Sequence, residues 1–312
     1  VVTSFRRQDL ADNNESFFVG SLGTSVSSQL INRIYESDLV IVLGARLGEV
    51  SSKSYSILRS QKSGQKVIHI YQDYNEIGNV FTPDLGVVSS MSEISKALAK
   101  LELSEKSHFW CTSLRKEYEK DTEVPDYNGE LNLGVIFDDI RQLLPKDAAI
   151  TLDAGNHTGW PQRFLKFGTS LRQIGSTCGA MGYAIPAAVS TALTFPDKQV
   201  VACVGDGGFM MSSHEISTAV QYGLSLIILI FNNKSYGTIR MHQEKAYPGR
   251  VIATDLVNPD FVSLARSLGA FSERINKTSE FAEVFIEALN NKRVSIIELV
   301  TETKQISTRT RI

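Results

Sequence analysis

Short uninterrupted apolar runs alternate along the chain with stretches in which apolar residues recur every three or four positions. The uninterrupted runs lie at 38–44, 66–71, 148–153, 200–205, 224–231 and 295–300. Runs of Val, Ile and Leu without polar alternation are typical of strands buried on both faces of a parallel sheet. The stretches at 260–271 and 279–291 have the spacing of amphipathic helices. This order of elements predicts an α/β fold with two doubly wound, mostly parallel sheets.

A polar and charged segment between about Leu101 and Leu131 separates two groups of predicted strands. Pro125 and Gly129 interrupt this segment, which predicts one helix followed by a linker. We therefore expect a first domain over residues 1–105, a helix and linker over 106–130, and a second domain over 131–312.

Composition and charge argue against several classes of protein. The 312 residues carry a net charge of −2 and a pI near 6.3, whereas proteins that bind nucleic acids or membrane surfaces present a concentrated basic face. The sequence has neither an apolar run long enough for a membrane span nor the apolar core of a signal peptide. We therefore expect a cytoplasmic protein whose partners are small molecules or other subunits, with no nucleic acid and no membrane among them.

The three cysteines favour neither a zinc site nor a disulfide framework. Cys111, Cys178 and Cys203 are odd in number and lack CxxC spacing, whereas both kinds of site depend on paired or clustered ligands. Cys203 lies within an apolar run, so we expect it in the core and the other two as unpaired thiols.

Polar side chains follow two successive predicted strands. Asp206 stands among glycines, in the sequence GDGG, where the run 200–205 ends. Asn232 and Asn233 follow the next run, one helical crossover later. Because the carboxyl ends of parallel strands form the ligand crevice of such sheets, we expect these side chains to converge.

Carboxylate and amide oxygens suit Mg²⁺, which completes its octahedral shell with water and phosphate. The glycines would let a phosphate approach the backbone before the following helix. The pattern therefore fits a diphosphate ester bound with Mg²⁺. Alternatively, GDGG is a surface turn and Asn-Asn only ends a strand, but their joint placement at successive strand ends favours the ligand site.

With these motifs in place, the sequence resembles the thiamine diphosphate enzymes similar to acetolactate synthase, pyruvate oxidase and benzoylformate decarboxylase. GDG at 205–207 followed by Asn-Asn at 232–233 is similar to their cofactor signature. DAGNH at 153–157 resembles their diphosphate loop, and CGAMGYAIPAAVSTAL at 178–193 resembles the segment beside the cofactor rings. DLVIVLGARLGEVSS at 38–52 and VIHIYQDYNEIG at 67–78 resemble their central domain. The resemblance covers nearly the whole chain and implies a Rossmann-like central domain followed by a thiamine diphosphate-binding domain.

The resemblance also implies a set of cofactor-binding residues. Mg²⁺ would be held by Asp206, the side chain of Asn233 and the backbone carbonyl of Ser235. Gly179 would offer its carbonyl to the 4′-amino group, and Met181 would bend the cofactor so that the 4′-nitrogen lies beside C2 of the thiazolium ring. The remaining cofactor-binding positions, which include the diphosphate contacts, are Asn156, His157, Gly205, Gly207, Gly208, Tyr236 and Gly237.

Individual residues are less specific than the set of motifs. Taken alone, His157 is more typical of a loop histidine and Met181 of a core methionine, but their order and spacing favour cofactor contacts. Two positions depart from acetolactate synthases, which carry a Met after the glycine of the Asn-Asn loop and a Trp four residues further on. Here these are Thr238 and His242. His242 would serve a different substrate as a hydrogen-bond or acid/base group, or it is an exposed loop histidine.

The segment GARLGEVSSKS at 44–54 also departs from the flavin-binding members, which have an acidic, arginine-containing pattern there. FAD is therefore not expected on this chain and stays open for the intact enzyme.

The resemblance implies an enzyme that decarboxylates a 2-keto acid, with or without carboligation to an acceptor, as a homo-dimer or homo-tetramer. No catalytic residue is assigned. Two other hypotheses remain. One is a non-catalytic thiamine diphosphate-binding or assembly module. The other is a dinucleotide enzyme using GARLG at 44–48, although that loop lacks the GxGxxG pattern.

Members of this family begin with a domain whose glutamate binds the cofactor's aminopyrimidine ring. VVTSFRRQD at 1–9 resembles the second strand of the central domain, which implies that this chain is a fragment without that glutamate and without the central domain's first strand and helix. We therefore expect the purified 312-residue chain to show no sustained release of CO₂ from a 2-keto acid. Steady turnover in a coupled CO₂ assay would contradict this expectation.

Overall fold

The computed structural model describes residues 1–58, 64–102, 109–127 and 129–311. The chain divides into two compact units, one of Val1–Phe5 with Glu15–Asp121 and one of Arg6–Asn14 with Thr122–Ile312. The expected boundary near residue 105 lies outside the described residues, so the domain limits predicted from sequence stay a prediction.

The first unit contains a three-stranded parallel sheet in the order β1-β2-β3. Ser27 and Ser90 begin two of its helices, because each side chain accepts a hydrogen bond from a backbone N–H in the first turn. The elements of this unit are α1 (Ser28–Glu36), β1 (Leu39–Leu43), β2 (Lys66–Tyr71), β3 (Leu85–Val88), α2 (Met91–Leu98) and α3 (Phe109–Asp121).

One face of β1 is exposed, which differs from the expectation of burial on both faces. Leu39, Ile41 and Leu43 alternate along the strand and are 42–51% exposed, while Val42 between them is buried. β1 is an edge strand of a small sheet, and the described residues cover only its other face. An uninterrupted apolar run therefore does not by itself distinguish a central strand from an edge strand.

The second unit contains a six-stranded, entirely parallel sheet in the order β5-β4-β6-β7-β9-β8. Its elements are α4 (Leu133–Leu143), β4 (Ala149–Leu152), α5 (Gly159–Phe164), β5 (Arg172–Gly175), α6 (Ala184–Thr194), β6 (Val200–Gly205), α7 (Asp206–Ser212), α8 (Glu215–Gln221), β7 (Leu226–Asn232), α9 (Gly237–Ala246), α10 (Phe261–Ser267), β8 (Phe271–Ile275), α11 (Phe281–Asn290) and β9 (Val294–Val300). The predicted α/β fold with parallel sheets is confirmed. No helix within the described ranges combines the length and apolarity needed to cross a bilayer.

The central strands of this sheet are buried on both faces. Along β6, Val201 and Cys203 pack into one hydrophobic cluster, whereas the alternating Val200, Ala202 and Val204 pack into another on the opposite face. This arrangement explains why the run carries no polar alternation. Cys203 lies in the core, as expected.

Among the strands of the described residues, β3, β5 and β8 were not predicted. Each lies at the edge of its sheet. The sequences of β5 (RQIG) and β8 (FSERI) mix charged and apolar residues, because an edge strand has fewer neighbours to bury it. Apolar runs therefore do not reveal edge strands of such mixed composition, whereas the edge strand β1 does carry an apolar run.

The expected strand at 1–9 is not formed. Thr3 makes an isolated bridge to Ser21, and Arg6 adopts a left-handed backbone conformation with φ of 66° that ends the extended path. Beyond it, residues of the second unit hold the segment. The Gln8 N–H donates to Gln173 Oε1 at 2.7 Å, and Asp9 pairs with Arg172.

The order of the strands places a ligand crevice at one edge of the second sheet. From β4 the chain passes to β5 on one side and then returns to β6 on the other. This reversal is the topological switch point at which open parallel sheets bind ligands beyond the carboxyl ends of their strands. Asp206, the first residue of α7, lies at that end of β6.

Two matched leucines test the difference between the buried and the exposed apolar run. Leu229 on β7 is fully buried and Leu43 on β1 is half exposed. We expect Leu229→Ala to cost about 2–5 kcal/mol of unfolding free energy because it leaves a cavity, and Leu43→Ala to cost less than about 1 kcal/mol. Each unit contains one tryptophan, Trp110 in the first and Trp160 in the second. Urea unfolding of single-tryptophan variants measures each unit separately, and equal losses would contradict the assignment.

Candidate functional site

A cavity of about 270 Å³ opens at the carboxyl ends of β4, β6 and β7. All twelve positions that the sequence suggested as cofactor-binding line it: Asn156, His157, Gly179, Met181, Gly205, Asp206, Gly207, Gly208, Asn233, Ser235, Tyr236 and Gly237. Thr238 also lines this cavity, whereas His242 is not among its lining residues. The fold thus brings together segments that lie up to 81 residues apart, although the role of each residue in binding stays a prediction.

Asp206 is only 2% exposed, and both carboxylate oxygens accept hydrogen bonds. The Gly207 N–H donates to Oδ1 at 3.0 Å, and Asn258 Nδ2 donates to Oδ2 at 2.8 Å. Burial raises the pKa of Asp206, while these hydrogen bonds oppose the rise. Among the described residues no basic side chain forms an ion pair with Asp206. A buried carboxylate in that situation is a suitable ligand for a cation.

The two asparagines that end β7 point in different directions. Asn233 lines the cavity, and its Oδ1 accepts the Ser235 N–H at 3.0 Å. Asn232 is buried, and its Nδ2 donates to Glu298 at 2.7 Å. Between Asn233 and Ser235, Lys234 adopts a left-handed conformation with φ of 55°, a strain of the kind that clusters at functional loops. Asn233 is therefore available to a ligand, whereas Asn232 is structural.

The donor set fits a magnesium ion. Asp206, Asn233 and Ser235 all line the cavity, and a carboxylate, an amide and a backbone carbonyl are oxygen ligands of the kind that Mg²⁺ prefers. Within the described ranges, no group of three or more His, Cys, Asp or Glu is placed to hold a metal. A site built from one carboxylate, one amide and one backbone carbonyl contains only one residue of those four types.

His157 also lines this cavity. Its Nε2 is buried without a hydrogen-bond partner, and its ring stacks on Phe231 with centroids 5.3 Å apart. Burial lowers the pKa of His157 to about 4, against a smaller opposing effect from the Cys203 backbone. The imidazole is therefore neutral at pH 7.

Thr238 joins two sides of the cavity. The Asn156 N–H donates to Thr238 Oγ1 at 3.1 Å, and the Thr238 hydroxyl donates to Asn156 Oδ1 at 3.0 Å. The single hydroxyl of Thr238, as acceptor and as donor, thus fixes the loop after β4 to the start of α9. The threonine that departs from the acetolactate synthase pattern therefore has a local structural role.

The glycines after Asp206 are required by close packing. α7 begins at Asp206, so Gly207 and Gly208 lie within the helix and not in a turn before it. A Cβ on Gly207 would lie 2.5 Å from the Tyr236 ring, and one on Gly208 would lie 2.3 Å from Asp153 Oδ2. Such contacts are too short for any side chain, so these glycines let α7 approach both neighbours.

Asp153 positions the segment that carries Gly179 and Met181. Its carboxylate is buried and accepts the N–H of Gly182 at 3.0 Å and of Tyr183 at 3.3 Å. Burial raises the pKa of Asp153, and these backbone hydrogen bonds oppose the rise. Met181 is 36% exposed, so it lies at the cavity surface and is not a core methionine.

Arg6 lies against the same segment. A Cβ on Gly179 would lie 2.8 Å from Arg6 Nη2, and Arg6 Nη1 donates to the Thr177 carbonyl at 3.3 Å. Gly179 has a φ of +75°, a conformation that favours glycine. The backbone conformation therefore favours glycine at this position, next to the flexible end of the Arg6 side chain.

Sequence reasoning missed Asp153, Asn258 and Arg6. Asp153 ends a predicted strand, as Asp206 does, and that position was the available signal. Asn258 is far from both motifs in sequence and carried no signal. Arg6 was assigned to the first domain, so its place beside the cavity could not be inferred.

Two family models match the chain. Residues 153–299 match the thiamine pyrophosphate enzyme, C-terminal TPP binding domain, and residues 1–98 match the thiamine pyrophosphate enzyme, central domain; thiamine pyrophosphate (TPP) is another name for thiamine diphosphate. The resemblance inferred from the motifs is thereby confirmed.

Curated relatives are similar over most of the chain. The acetolactate synthase large subunit of Parasynechococcus marenigrum is 28% identical over 96% of this chain and 49% of that protein. The probable acetolactate synthase large subunit of Methanocaldococcus jannaschii is 29% identical over 91% and 49%. The acetolactate synthase of Bacillus subtilis is 26% identical over 85% and 47%. The chain therefore spans about half the length of the curated relatives it matches.

The low pKa of His157 predicts a dependence of stability on pH. In the unfolded chain a histidine binds a proton near its ordinary value of 6.5, whereas folded His157 does so only near pH 4. Lowering the pH from 7 to 5 therefore favours the unfolded state, by on the order of 2 kcal/mol. Urea unfolding of the native chain and of His157→Gln at both pH values measures this difference.

The variant serves as the control, because the raised pKa values of Asp153 and Asp206 act in the opposite direction in both proteins. We expect the native chain to lose more stability than His157→Gln on acidification. Identical losses would show that His157 titrates normally in the folded chain.

Proposed function

The chain belongs to the thiamine pyrophosphate enzymes, and we propose that it is part of a thiamine diphosphate- and Mg²⁺-dependent enzyme acting on a 2-keto acid. One observation carries the proposal. A single cavity, at the switch point of the second sheet, gathers all twelve positions that the sequence motifs suggested. Unrelated turns and strand ends would have no reason to meet there.

We assign the metal to three residues. Asp206, the side chain of Asn233 and the backbone carbonyl of Ser235 would hold Mg²⁺, and water and diphosphate oxygens would complete its octahedron. The buried carboxylate of Asp206 supports this assignment, because a divalent cation would compensate the desolvation that raises its pKa.

The diphosphate would lie between the metal and the loop after β4. Asn156 and His157 line that side of the cavity, and the amides around Gly207, Gly208 and Tyr236 line the other. A ring N–H of the neutral His157 would donate to a phosphate oxygen from that side. The cavity volume lies below the range of about 300–1,000 Å³ of typical small-molecule sites, so the walls described here enclose part of such a ligand.

When bound, thiamine diphosphate supplies the electron sink for decarboxylation of a 2-keto acid. The residues of this chain bind and orient it. Met181 at the cavity surface would support the bent form of the cofactor, and Asp153 holds the backbone that presents Met181 and the Gly179 carbonyl. Such orientation lowers a barrier by fixing the geometry of the reacting groups in advance.

The step after decarboxylation is proposed in general terms, as protonation or as carboligation of the acetolactate synthase kind. The relatives named acetolactate synthase support carboligation. Thr238, however, uses its hydroxyl on Asn156, and His242 is not among the cavity-lining residues. The acceptor site therefore differs from the Met and Trp pattern of those enzymes, and FAD dependence is not part of the proposal.

The dinucleotide alternative lacks structural support. After β1, Gly44 has a φ of +64°, but the described residues that follow, up to 58, form turns and no helix. A dinucleotide loop instead leads directly into the helix whose N-terminus binds the pyrophosphate. The non-catalytic module stays as the second candidate, since cofactor binding alone would not distinguish it from an enzyme subunit.

We propose that copies of the chain associate as a homo-dimer or homo-tetramer in the cytoplasm. The exposed row Leu39, Ile41 and Leu43 supports association, because an exposed apolar surface of this kind is usually covered by a protein partner. Light scattering after size-exclusion chromatography measures the oligomeric state.

Calorimetric titration tests cofactor binding. We expect thiamine diphosphate with Mg²⁺ to bind and NAD not to bind. Asp206→Ala should weaken binding at least about 100-fold, because it removes a metal ligand. Asp147→Ala is the control, since that carboxylate is 63% exposed at the surface. Lack of binding by the native chain, or native affinity in Asp206→Ala, would overturn the proposed function.

A further inference from the structure

One amide group joins the ends of β6 and β7. Asn258 Nδ2 donates to Asp206 Oδ2 at 2.8 Å and to Asn232 Oδ1 at 2.9 Å. A primary amide nitrogen carries two N–H groups, so these two bonds use its full donor capacity. Asn258 therefore fixes the distance between the carboxylate that follows one strand and the asparagine that ends the next.

The hydrogen bonds continue across the sheet away from the cavity. Asn232 Nδ2 donates to Glu298 Oε1 on β9 at 2.7 Å. Arg274 Nε on β8 donates to Glu298 Oε2 at 2.7 Å, and Arg274 Nη2 pairs with Asp260 Oδ1 at 3.2 Å. Asp260 lies two residues after Asn258 on the same loop.

The contacts therefore close a circuit, which runs from Asn258 through Asn232, Glu298, Arg274 and Asp260 back to Asn258. Asn232 and Glu298 are 5% and 2% exposed, so water has little access to replace a missing partner at this part of the circuit. Asp260 also accepts the Ser263 N–H at 3.0 Å as the cap of α10. The loop that carries Asn258 is thus held at two points.

Carboxylates at both ends of the circuit, Glu298 and Asp206, set the direction of the hydrogen bonds between them. A carboxylate only accepts hydrogen bonds, so Glu298 requires Asn232 to turn its NH₂ group toward it. The carbonyl oxygen of Asn232 then faces Asn258, which must turn its own NH₂ group inward. That orientation leaves the second N–H of Asn258 aimed at Asp206 Oδ2.

We propose that Asn258 is a positioning residue for the metal-binding carboxylate, and that the circuit through Asn232, Glu298 and Arg274 fixes its orientation. The circuit holds Asp206 in one rotamer, in the cavity that Asn233 also lines. The orientation of the two amides, which could otherwise flip, follows from the acceptors Glu298 and Asp206 and from the Lys234 N–H, which donates to Asn232 Oδ1 at 3.2 Å. The proposal rests on the proposed function in one respect, namely that Asp206 is a metal ligand.

The first test measures metal-dependent binding. Replacement of partners that orient a metal ligand typically lowers metal affinity 10- to 100-fold, so we expect a loss of about this size for Mg²⁺-dependent thiamine diphosphate binding in Asn258→Ala. Glu298→Gln keeps the shape but removes one of the groups that orient Asn232, so a smaller loss is expected. Calorimetric titration with Mg²⁺ varied at saturating thiamine diphosphate gives both values.

Ser272→Ala is the matched control. The Ser272 hydroxyl donates to the Ile296 carbonyl at 2.9 Å, so the variant loses one buried hydrogen bond between the same two strands, β8 and β9, without touching the circuit. Its Mg²⁺ affinity should equal that of the native chain. Native affinity in Asn258→Ala, or an equal loss in Ser272→Ala, would overturn the positioning role.

The second test needs no cofactor. Residues of one hydrogen-bond network give unfolding free energies that do not add, whereas distant independent sites add. Asn258 and Glu298 are connected in the circuit through Asn232, so we expect the double variant Asn258→Ala with Glu298→Gln to be less destabilised than the sum of the single variants. Urea unfolding followed by Trp160 fluorescence measures this cycle.

The two tests separate the inference from the proposed function. If the native chain binds no thiamine diphosphate with Mg²⁺, the proposed function and the metal role of Asp206 are wrong. The unfolding cycle still decides whether the circuit exists as a coupled unit, because additive losses would contradict it in the absence of any ligand.

Discussion

The convergence of β4, β6 and β7 at one edge of a parallel sheet is the constraint on which the rest of the structure depends. Every residue of these strands is buried except Gly205 at the end of β6, so the strands cannot change register without displacing apolar side chains from the positions they fill in the core. The polar groups that follow the strands therefore occupy fixed positions relative to one another. Asp206, Asn233 and His157 come from three separate segments, yet they line one cavity.

The same burial explains which parts of the fold could be predicted from sequence. Strands β4, β6, β7 and β9 lie inside the larger sheet, and each carries an uninterrupted apolar run. β5 and β8 lie at its edges and mix charged with apolar residues, so their sequences resemble loops. β1 shows the opposite failure, because its apolar run is that of a buried strand although one of its faces is exposed. The apolar residues of a strand show that its faces need to be buried. The strand order determines whether other residues of this chain bury them.

The residues of the site likewise divide into those that the sequence predicted and those that it did not. Side chains that follow buried strands were found, because two motifs at successive strand ends constrain each other. Asn258 and Arg6 reach the site from segments with no such pattern, and only the folded chain brings them there. The contacts of Asn258 and Arg6 depend on how their side chains are oriented in the folded chain. The spacing of residues along the sequence does not predict that orientation. Asp153 lies between these two cases. Its position at the end of a predicted strand could be recognised in the sequence, but its role as hydrogen-bond acceptor for the Gly182 and Tyr183 backbone could not.

The glycines of GDGG show why a motif cannot be interpreted by one function alone. Gly207 and Gly208 have no room for a Cβ because Tyr236 and Asp153 occupy that space, so packing alone would exclude any other residue at either position. Their substitution would damage the fold whether or not a phosphate binds nearby. Asp206 is different, because burying a carboxylate opposes folding unless something compensates it. A residue that costs stability and is held by a dedicated amide, Asn258, is therefore better evidence of function than the glycines that surround it.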